Sequence, residues 1–306
     1  MLSQVTKARR TYPLEWFKTR AINSIKPMHS GSWDFSDSLL LYAPKAIAIY
    51  EEIQKDGMPY YDLITKPETE FISKTADEIA RELPATSYYI DLGPGTEHKE
   101  RFFFQSLQAH SKSFIYFPVD ISRHILDGAE AFAHTFNITT NPILAPFEEC
   151  GRYLPNDGTY RFVSLGLTFI NYHMKDILNL LRNIIGVRGS CFITAHVRER
   201  VDIEKIKKLY VQDVQSIIEP KMHLLGLNPH DISNIQVNDK IEIWWTIKNP
   251  TPELTQKGIK NGDRILVLQS LRYSLDELKN EVPKVFKNYQ LIDIGSSFVG
   301  FLLKKP

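Results

Sequence analysis

Tyr88-Tyr89-Ile90-Asp91-Leu92-Gly93-Pro94-Gly95 reads as an apolar strand that ends in an acid and enters a two-glycine turn ahead of a helix. The glycines let the backbone turn sharply and let a ligand approach without meeting a Cβ. The start of the next helix adds N–H groups that have no partner inside the helix. A nucleotide-like ligand over the strand ends of an open α/β sheet is the physical consequence. Structural turns of the form Gly-x-Gly are common, so the surrounding pattern has to decide.

From Ser87 onward strand and helix alternate. Apolar β-rich runs at Ser87–Leu92, Phe114–Val119, Asn141–Ala145, Arg161–Leu165 and Gly189–His196 are separated by helical patterns at Glu97–His110, Arg123–Phe136 and Met174–Ile185. This spacing predicts an α/β fold, a Rossmann-like, doubly wound, mostly parallel sheet with helices on both faces. The pattern breaks after Arg200. Ile203–Leu225 reads as one helix, Asn228-Pro229-His230-Asp231 as a short helical turn, and Lys240–Lys248 and Arg264–Tyr273 as an antiparallel hairpin outside the parallel set. Ser274 and Glu277 form a capping box that opens a helix to Lys287. Gln290–Ile294 and Phe298–Lys304 are candidate closing strands of the main sheet.

Upstream, the first thirty residues alternate polar and aromatic side chains and are expected to wrap a surface or stay partly mobile. Ser36–Asp56 has helical spacing interrupted by Pro44, and Gly57-Met58-Pro59 forces a turn. Pro67-Glu68-Thr69-Glu70 opens a helix that runs to about Leu83. The expected organisation is therefore two interleaved units, 67–199 plus 274–306 and 1–66 plus 200–273.

The 306 residues are 43% hydrophobic and 24% charged, ordinary for a soluble globular chain. With 37 Lys+Arg against 36 Asp+Glu the net charge is +1, which leaves no global field to recruit nucleic acid or an anionic membrane. Lys7-Ala8-Arg9-Arg10 reads as a solvated basic tail. Cys150 and Cys191 make neither a disulfide framework nor a metal-site spacing and read as small buried hydrophobes. No signal peptide or transmembrane run is apparent, so the expected location is cytoplasmic. No HExxH, CxxC or clustered acids point to a metal. No serine elbow or Cys–His pair supports nucleophilic catalysis. His223 and His230 read as surface or helix-end residues, while His196 is either packed or at the pocket edge. Trp244 and Trp245 point to opposite faces of their strand, so one fills a core.

Two acids sharpen the glycine turn. Asp91 lies two residues before Gly93, and Asp120 closes the second strand in Pro118-Val119-Asp120-Ile121-Ser122, where an acid takes ribose hydroxyls. A dinucleotide-binding (NAD) oxidoreductase is the competing reading. It expects Gly-x-Gly-x-x-Gly, and here the third glycine position holds His98.

Five stretches in order resemble the histidine Nα-methyltransferase family of the ergothioneine pathway, a branch of the S-adenosylmethionine-dependent class I methyltransferases. Tyr42 with Ile49-Tyr50-Glu51-Glu52-Ile53 is similar to that family's Tyr-Asp…Leu-Phe-Glu-x-Ile. Pro59-Tyr60-Tyr61 with Glu70 is similar to its Glu-Tyr-Tyr…Thr-Glu. Asp91–Lys99 resembles its glycine turn and trailing lysine, and Pro118–Ser122 its Pro-Val-Asp-Val-Ser. Gly166-Leu167-Thr168-Phe169-Ile170-Asn171-Tyr172 resembles its Gly-Ser-Thr-Ile-Gly-Asn-Phe.

The resemblance implies S-adenosylmethionine as cofactor, contacted by Tyr42, Asp91, Gly93, Gly95, Lys99, Asp120, Ile121 and Phe147. It also implies that Tyr60 and Asn171 hold and aim an amino-acid-like amine, with Ser270 and Leu268 at the substrate. On this reading the unit 1–66 plus 200–273 is an α+β substrate-binding domain interleaved with the methyltransferase domain. Departures bear on the substrate. Ala145-Pro146-Phe147-Glu148 replaces an Asp-Phe-Glu that meets adenine, and Ile170 replaces a glycine. Val267-Leu268-Gln269-Ser270 replaces a Thr-Glu-x-Ser that holds imidazole. An imidazole N–H buried against Leu268 loses its partner at a cost of about 1–3 kcal/mol, which disfavours histidine. A non-catalytic relative that only binds the cofactor is the remaining alternative.

Overall fold

Thr86–Leu92, the strand that carries the glycine turn, lies inside a seven-stranded sheet, where its alternating side chains feed two different cores. The computed structural model describes residues 12–43 and 46–305. Its strands are β1 Lys26–His29, β2 Ser32–Asp34, β3 Thr86–Leu92, β4 Ser113–Asp120, β5 Ile143–Leu144 and β6 Arg161–Leu165. They continue as β7 Gly189–His196, β8 Ile232–Val237, β9 Glu242–Ile247, β10 Arg264–Gln269, β11 Asn288–Ile292 and β12 Phe298–Lys304. The helices are α1 Leu14–Ser24, α2 Ala46–Ile53, α3 Lys66–Glu82, α4 Glu100–Ala109, α5 Arg123–Thr135 and α6 Phe147–Cys150. After them come α7 Met174–Ile184, α8 Ile203–Gln212, α9 Gln215–Leu224, α10 Pro252–Gln256 and α11 Leu275–Val285.

The large sheet has the order β11-β12-β7-β6-β3-β4-β5. β5, β4, β3, β6 and β7 are parallel neighbours, and β12 and β11 close the edge antiparallel. Chain order runs outward from β3 through β4 to β5, then returns to the other side of β3 as β6. β3 is thus the topological switch point, where open α/β sheets leave a crevice beyond the strand ends. One face buries Phe71, Ile79, Tyr89, Phe104, Tyr116 and Phe192 under α3, α4 and α5. The other buries Ile90, Val119, Val163, Leu178, Leu181 and Leu278 under α7 and α11. This is the Rossmann-like, doubly wound arrangement expected from the alternation.

The second sheet, of order β1-β2-β10-β9-β8, is larger than the expected hairpin of β9 and β10. β2 adds parallel to β10, and the mostly exposed β8 adds antiparallel to β9. β8 had no clear sequence signal because an edge strand facing solvent lacks the apolar alternation that marks a half-buried one. The segment 12–34, expected on a surface, instead folds as α1, β1 and β2, and α1 buries Phe17 and Ala21 in the core beneath this sheet. Pro44 and the basic stretch 7–10 lie outside the described residues.

Three further boundaries differ from expectation. The turn at Gly57 is followed by a helical start at Pro59, and a π-helical segment Tyr61–Thr65 runs directly into α3. α4 begins at Glu100, because His98 takes a positive φ of 51° that no right-handed helix accommodates. The single helix expected over Ile203–Leu225 is broken between α8 and α9. The Ser274–Glu277 capping box forms as read. Trp245 fills the core and Trp244 faces the other way under the Arg264 guanidinium. Among the described residues, no helix is long and apolar enough to cross a membrane.

Gly189 opens β7 where a Cβ would sit 2.8 Å from the Ile185 carbonyl oxygen and closer still to that of Arg161. Both are backbone atoms that cannot step aside. Gly189→Ala should lower stability by about 1–3 kcal/mol in urea denaturation; an unchanged midpoint would mean that the strand end is looser than this packing implies.

Candidate active site

The ends of β3, β4 and β6 open into one cavity. Of the residues read from the sequence, Tyr42, Tyr60, Asp91, Gly93, Gly95, Lys99, Asp120, Asn171, Leu268 and Ser270 line it. Ile121 and Phe147 do not. Ile121 turns into the core beneath the second sheet, and Phe147 packs behind the glycine turn, its Cζ 3.4 Å from where a Gly93 Cβ would project. Gly93 and Gly95 have φ of 70° and 69°, so both positions need glycine on conformational grounds. A Cβ on Gly95 would also strike the Glu97 carboxylate. His98 takes a left-handed conformation without being glycine, steadied by stacking on Phe132 and by a 3.2 Å contact with Glu100 Oε1.

The cavity is acidic around this turn. Asp91 is buried and accepts hydrogen bonds from Ser164 Oγ at 2.6 Å and the Tyr116 hydroxyl at 2.9 Å. Burial outweighs these bonds, and with the neighbouring Glu100 it pushes the Asp91 carboxyl up to about 7. Asp120 is pushed up to about 7 by burial alone, against the backbone N–H groups of Ser122 and Ile121. Glu100 Oε2 is buried with no hydrogen-bond partner among the described residues. Tyr42 and Tyr60 are held protonated, their phenols raised mainly by burial.

Lys99 neutralises part of this charge. Its Nζ donates to Glu68 Oε2 at 2.6 Å and lies 3.8 Å from Glu97. Glu68 also accepts from Thr194 Oγ1 at 2.6 Å. It is Glu68, fully buried, that faces the cavity, whereas Glu70, the acid picked from the sequence, is exposed. The signal was present: Glu68 falls on the same helical stripe as Ile72, Thr75 and Ile79, and an acid on an apolar stripe faces inward. Tyr210, on the buried stripe of α8, was missed in the same way. The break before α9 then lets Val214 and Ile217 join Tyr210 in the wall.

Leu268 and Ser270 lie on and just after β10, with Ser270 Oγ 2.5 Å from the Tyr210 hydroxyl. Gln269, between them, turns away to His173. His196 is buried against Phe298 and is not part of the lining, so its packing role is the observed one. His223 and His230 are exposed. Cys150 and Cys191 are buried and unpaired. No group of described side chains is placed to hold a metal ion. An acidic crevice with left-handed glycines and, among the described residues, an aspartate with no counter-ion and a carboxylate oxygen with no partner suits a cationic, hydroxyl-bearing ligand.

A carboxyl raised by burial favours its protonated form in the folded state. Below the unfolded value near 3.8 Asp120 brings no penalty, and stability falls as pH rises toward about 7. Asp120→Asn keeps the acceptor and removes the charge. It should therefore stabilise the ligand-free chain by a few kcal/mol, on the order of what such a shift represents, at pH 8. The gain should shrink as pH falls toward 4 in thermal melts; a gain independent of pH would contradict this electrostatic origin.

A family described as "Histidine-specific methyltransferase, SAM-dependent" matches residues 33–213. Ergothioneine biosynthesis protein 1 of Neurospora crassa is 24% identical over 157 residues, which cover 50% of this chain and 18% of that protein. Among solved structures, an S-adenosylmethionine-dependent methyltransferase from Clostridium acetobutylicum aligns with 83% of this chain and 97% of its own at 13% identity and TM-score 0.44. The plantazolicin methyltransferase BamL, in complex with a triazolic desmethylPZN analog and SAH, aligns over 96% of this chain and 98% of its own at 12% identity and TM-score 0.42. With more than half its length matched by the family profile, this chain belongs to the S-adenosylmethionine-dependent histidine-specific methyltransferase family.

Proposed function

We propose that the chain transfers the methyl group of S-adenosylmethionine to the amine of an amino acid or amino-acid-like small molecule, with histidine disfavoured. The observation that carries this reading is the shared cavity: the glycine turn with its acids and the pair Tyr60 and Asn171 line one space. The cofactor supplies a methyl group on a positively charged sulfur. Asp91, Glu100 and the left-handed Gly93 and Gly95 suit its methionyl end, Asp120 its ribose, and Tyr42 its flank. Lys99, locked to Glu68, sets the shape and charge of this pocket and is less available to a ligand.

Methyl transfer to nitrogen is a displacement that needs alignment and a free lone pair more than acid–base groups. Asn171 and Tyr60 aim the amine, and water takes its proton. The small sheet with residues 1–66 and 200–273 acts as the substrate-binding domain over the methyltransferase domain of 67–199 plus 274–306. Leu268, in the cavity wall, offers an imidazole N–H no acceptor, which argues against histidine. The two buried, unpaired cysteines suit a reducing cytoplasm.

Incubation with labelled S-adenosylmethionine and a panel of amino acids and amines should give an N-methylated product by mass, with histidine a poor substrate. Failure to bind the cofactor in calorimetry would instead favour a degenerate, non-catalytic relative. Asn171→Ala should reduce kcat/KM by roughly 3- to 10-fold, the worth of one neutral hydrogen bond; an unchanged value would remove Asn171 from the substrate. Leu268→Glu, which restores an acceptor, should raise turnover of histidine at least about tenfold over the parent chain.

A further inference from the structure

Arg272, just after β10, is 1% exposed, and among the described residues no carboxylate lies within salt-bridge distance of it. A buried charge without a counter-ion is costly and rare. All its hydrogen bonds go to neutral acceptors. Nη1 donates to the Ser270 carbonyl at 2.6 Å and to Ser270 Oγ at 2.8 Å. Nη2 reaches the Tyr210 hydroxyl at 3.5 Å. Nε donates to His196 Nδ1 at 3.1 Å, so that ring nitrogen is unprotonated and His196 supplies no charge.

Ser270 and Tyr210 line the cavity in front of the guanidinium. Each oxygen already accepts from Arg272, and the two lie 2.5 Å apart. Of their two hydroxyl protons, one makes the bond between them. The other has no acceptor among the described residues, so it is free for the cavity. The wall thus presents one O–H donor backed by a fixed positive charge, with apolar Leu268 beside it.

Resting on the reading of the cavity as an amine methyltransferase site, we infer that the Ser270–Tyr210 wall selects a substrate side chain ending in a hydrogen-bond acceptor, preferably an anionic one. Arg272 is the positioning residue that imposes this preference. A carboxylate or amide carbonyl receives the free O–H and relieves the uncompensated cation. An ammonium or imidazolium meets like charge and finds no acceptor on Leu268.

Calorimetry on the full chain saturated with S-adenosylhomocysteine tests this with L-glutamate, L-glutamine, L-norleucine, L-lysine and the amine-free glutarate. Glutamate and glutamine should bind at least about tenfold more tightly than norleucine and lysine, the worth of one charge-assisted hydrogen bond. Ser270→Ala and Arg272→Met should erase that preference by bringing glutamate and glutamine down to the affinity of norleucine for the same variant, and Arg272→Lys should restore part of it. Ser270→Ala removes a single oxygen, and its melting temperature and S-adenosylhomocysteine affinity report whether the fold is kept. Equal or tighter binding of lysine or norleucine, a preference that survives in both variants, or no binding of any probe would overturn the inference. The two readings separate cleanly. Glutarate binding that depends on Ser270 and Arg272, with no methylated amine from any donor assay, would keep this wall and discard amine methylation. Methylated products formed without regard to the side-chain tip would do the reverse.

Discussion

The carboxylate of Glu68 is where the elements around the active-site cavity meet. It projects from α3, binds Lys99 just beyond the glycine turn, and accepts from Thr194 on β7. It also passes so close to the end of β6 that a Cβ on Gly166 would lie 2.8 Å from its Oε1. A fully buried carboxylate is tolerated only when paired and hydrogen-bonded, and here each oxygen has a partner. Removing Lys99 or Thr194 would leave a buried charge unsatisfied, so this geometry is held rigidly. The helix before the sheet, the turn after β3 and the inner strands are thereby fixed to one another.

That anchor sits inside a cavity whose charge is unevenly distributed. Around the glycine turn, Asp91, Glu97, Glu100 and Asp120 outnumber Lys99, the one cation among the described residues that line the cavity. At the Ser270–Tyr210 wall the charge is positive and comes from behind, through Arg272. The buried carboxyls at 91 and 120 are raised to about 7, which moderates their field in the ligand-free chain. A cationic cofactor is the group most able to bring both into their ionised form, because opposite charge nearby favours ionisation.

The resemblance to the histidine-specific family and the departures from it fall on several elements around this cavity. Gly93, Asp120 and Asn171 keep the pattern at the crevice beyond the large sheet. Leu268 departs on β10 of the smaller sheet, and Ile170 departs beside Asn171 while being buried in the core of the large sheet. The glycine turn and the Leu268 departure therefore lie on different elements. A change on β10 can alter what is bound without touching the strand ends at which the glycine turn forms.

The alternation of apolar strands and amphipathic helices from Ser87 to His196 determined the parallel sheet, since a crossover helix between strands leaves few other topologies. The glycines at 93 and 95 and the acid at 120 were legible because each answers to a local rule, a left-handed φ or a strand end. β1, β2 and β8 were not legible, because their pairing is made with β10 and β9 and owes little to their own patterning. The same holds for Glu68 and Arg272. Nothing adjacent in the chain states that Glu68 will find Lys99 thirty-one positions away, or that Arg272 will find Tyr210 and His196 and, among the described residues, no acid. Local sequence determined which backbone could turn and which strand could run. Only the tertiary structure decided which charges were compensated, because compensation is a property of groups brought together from distant parts of the chain.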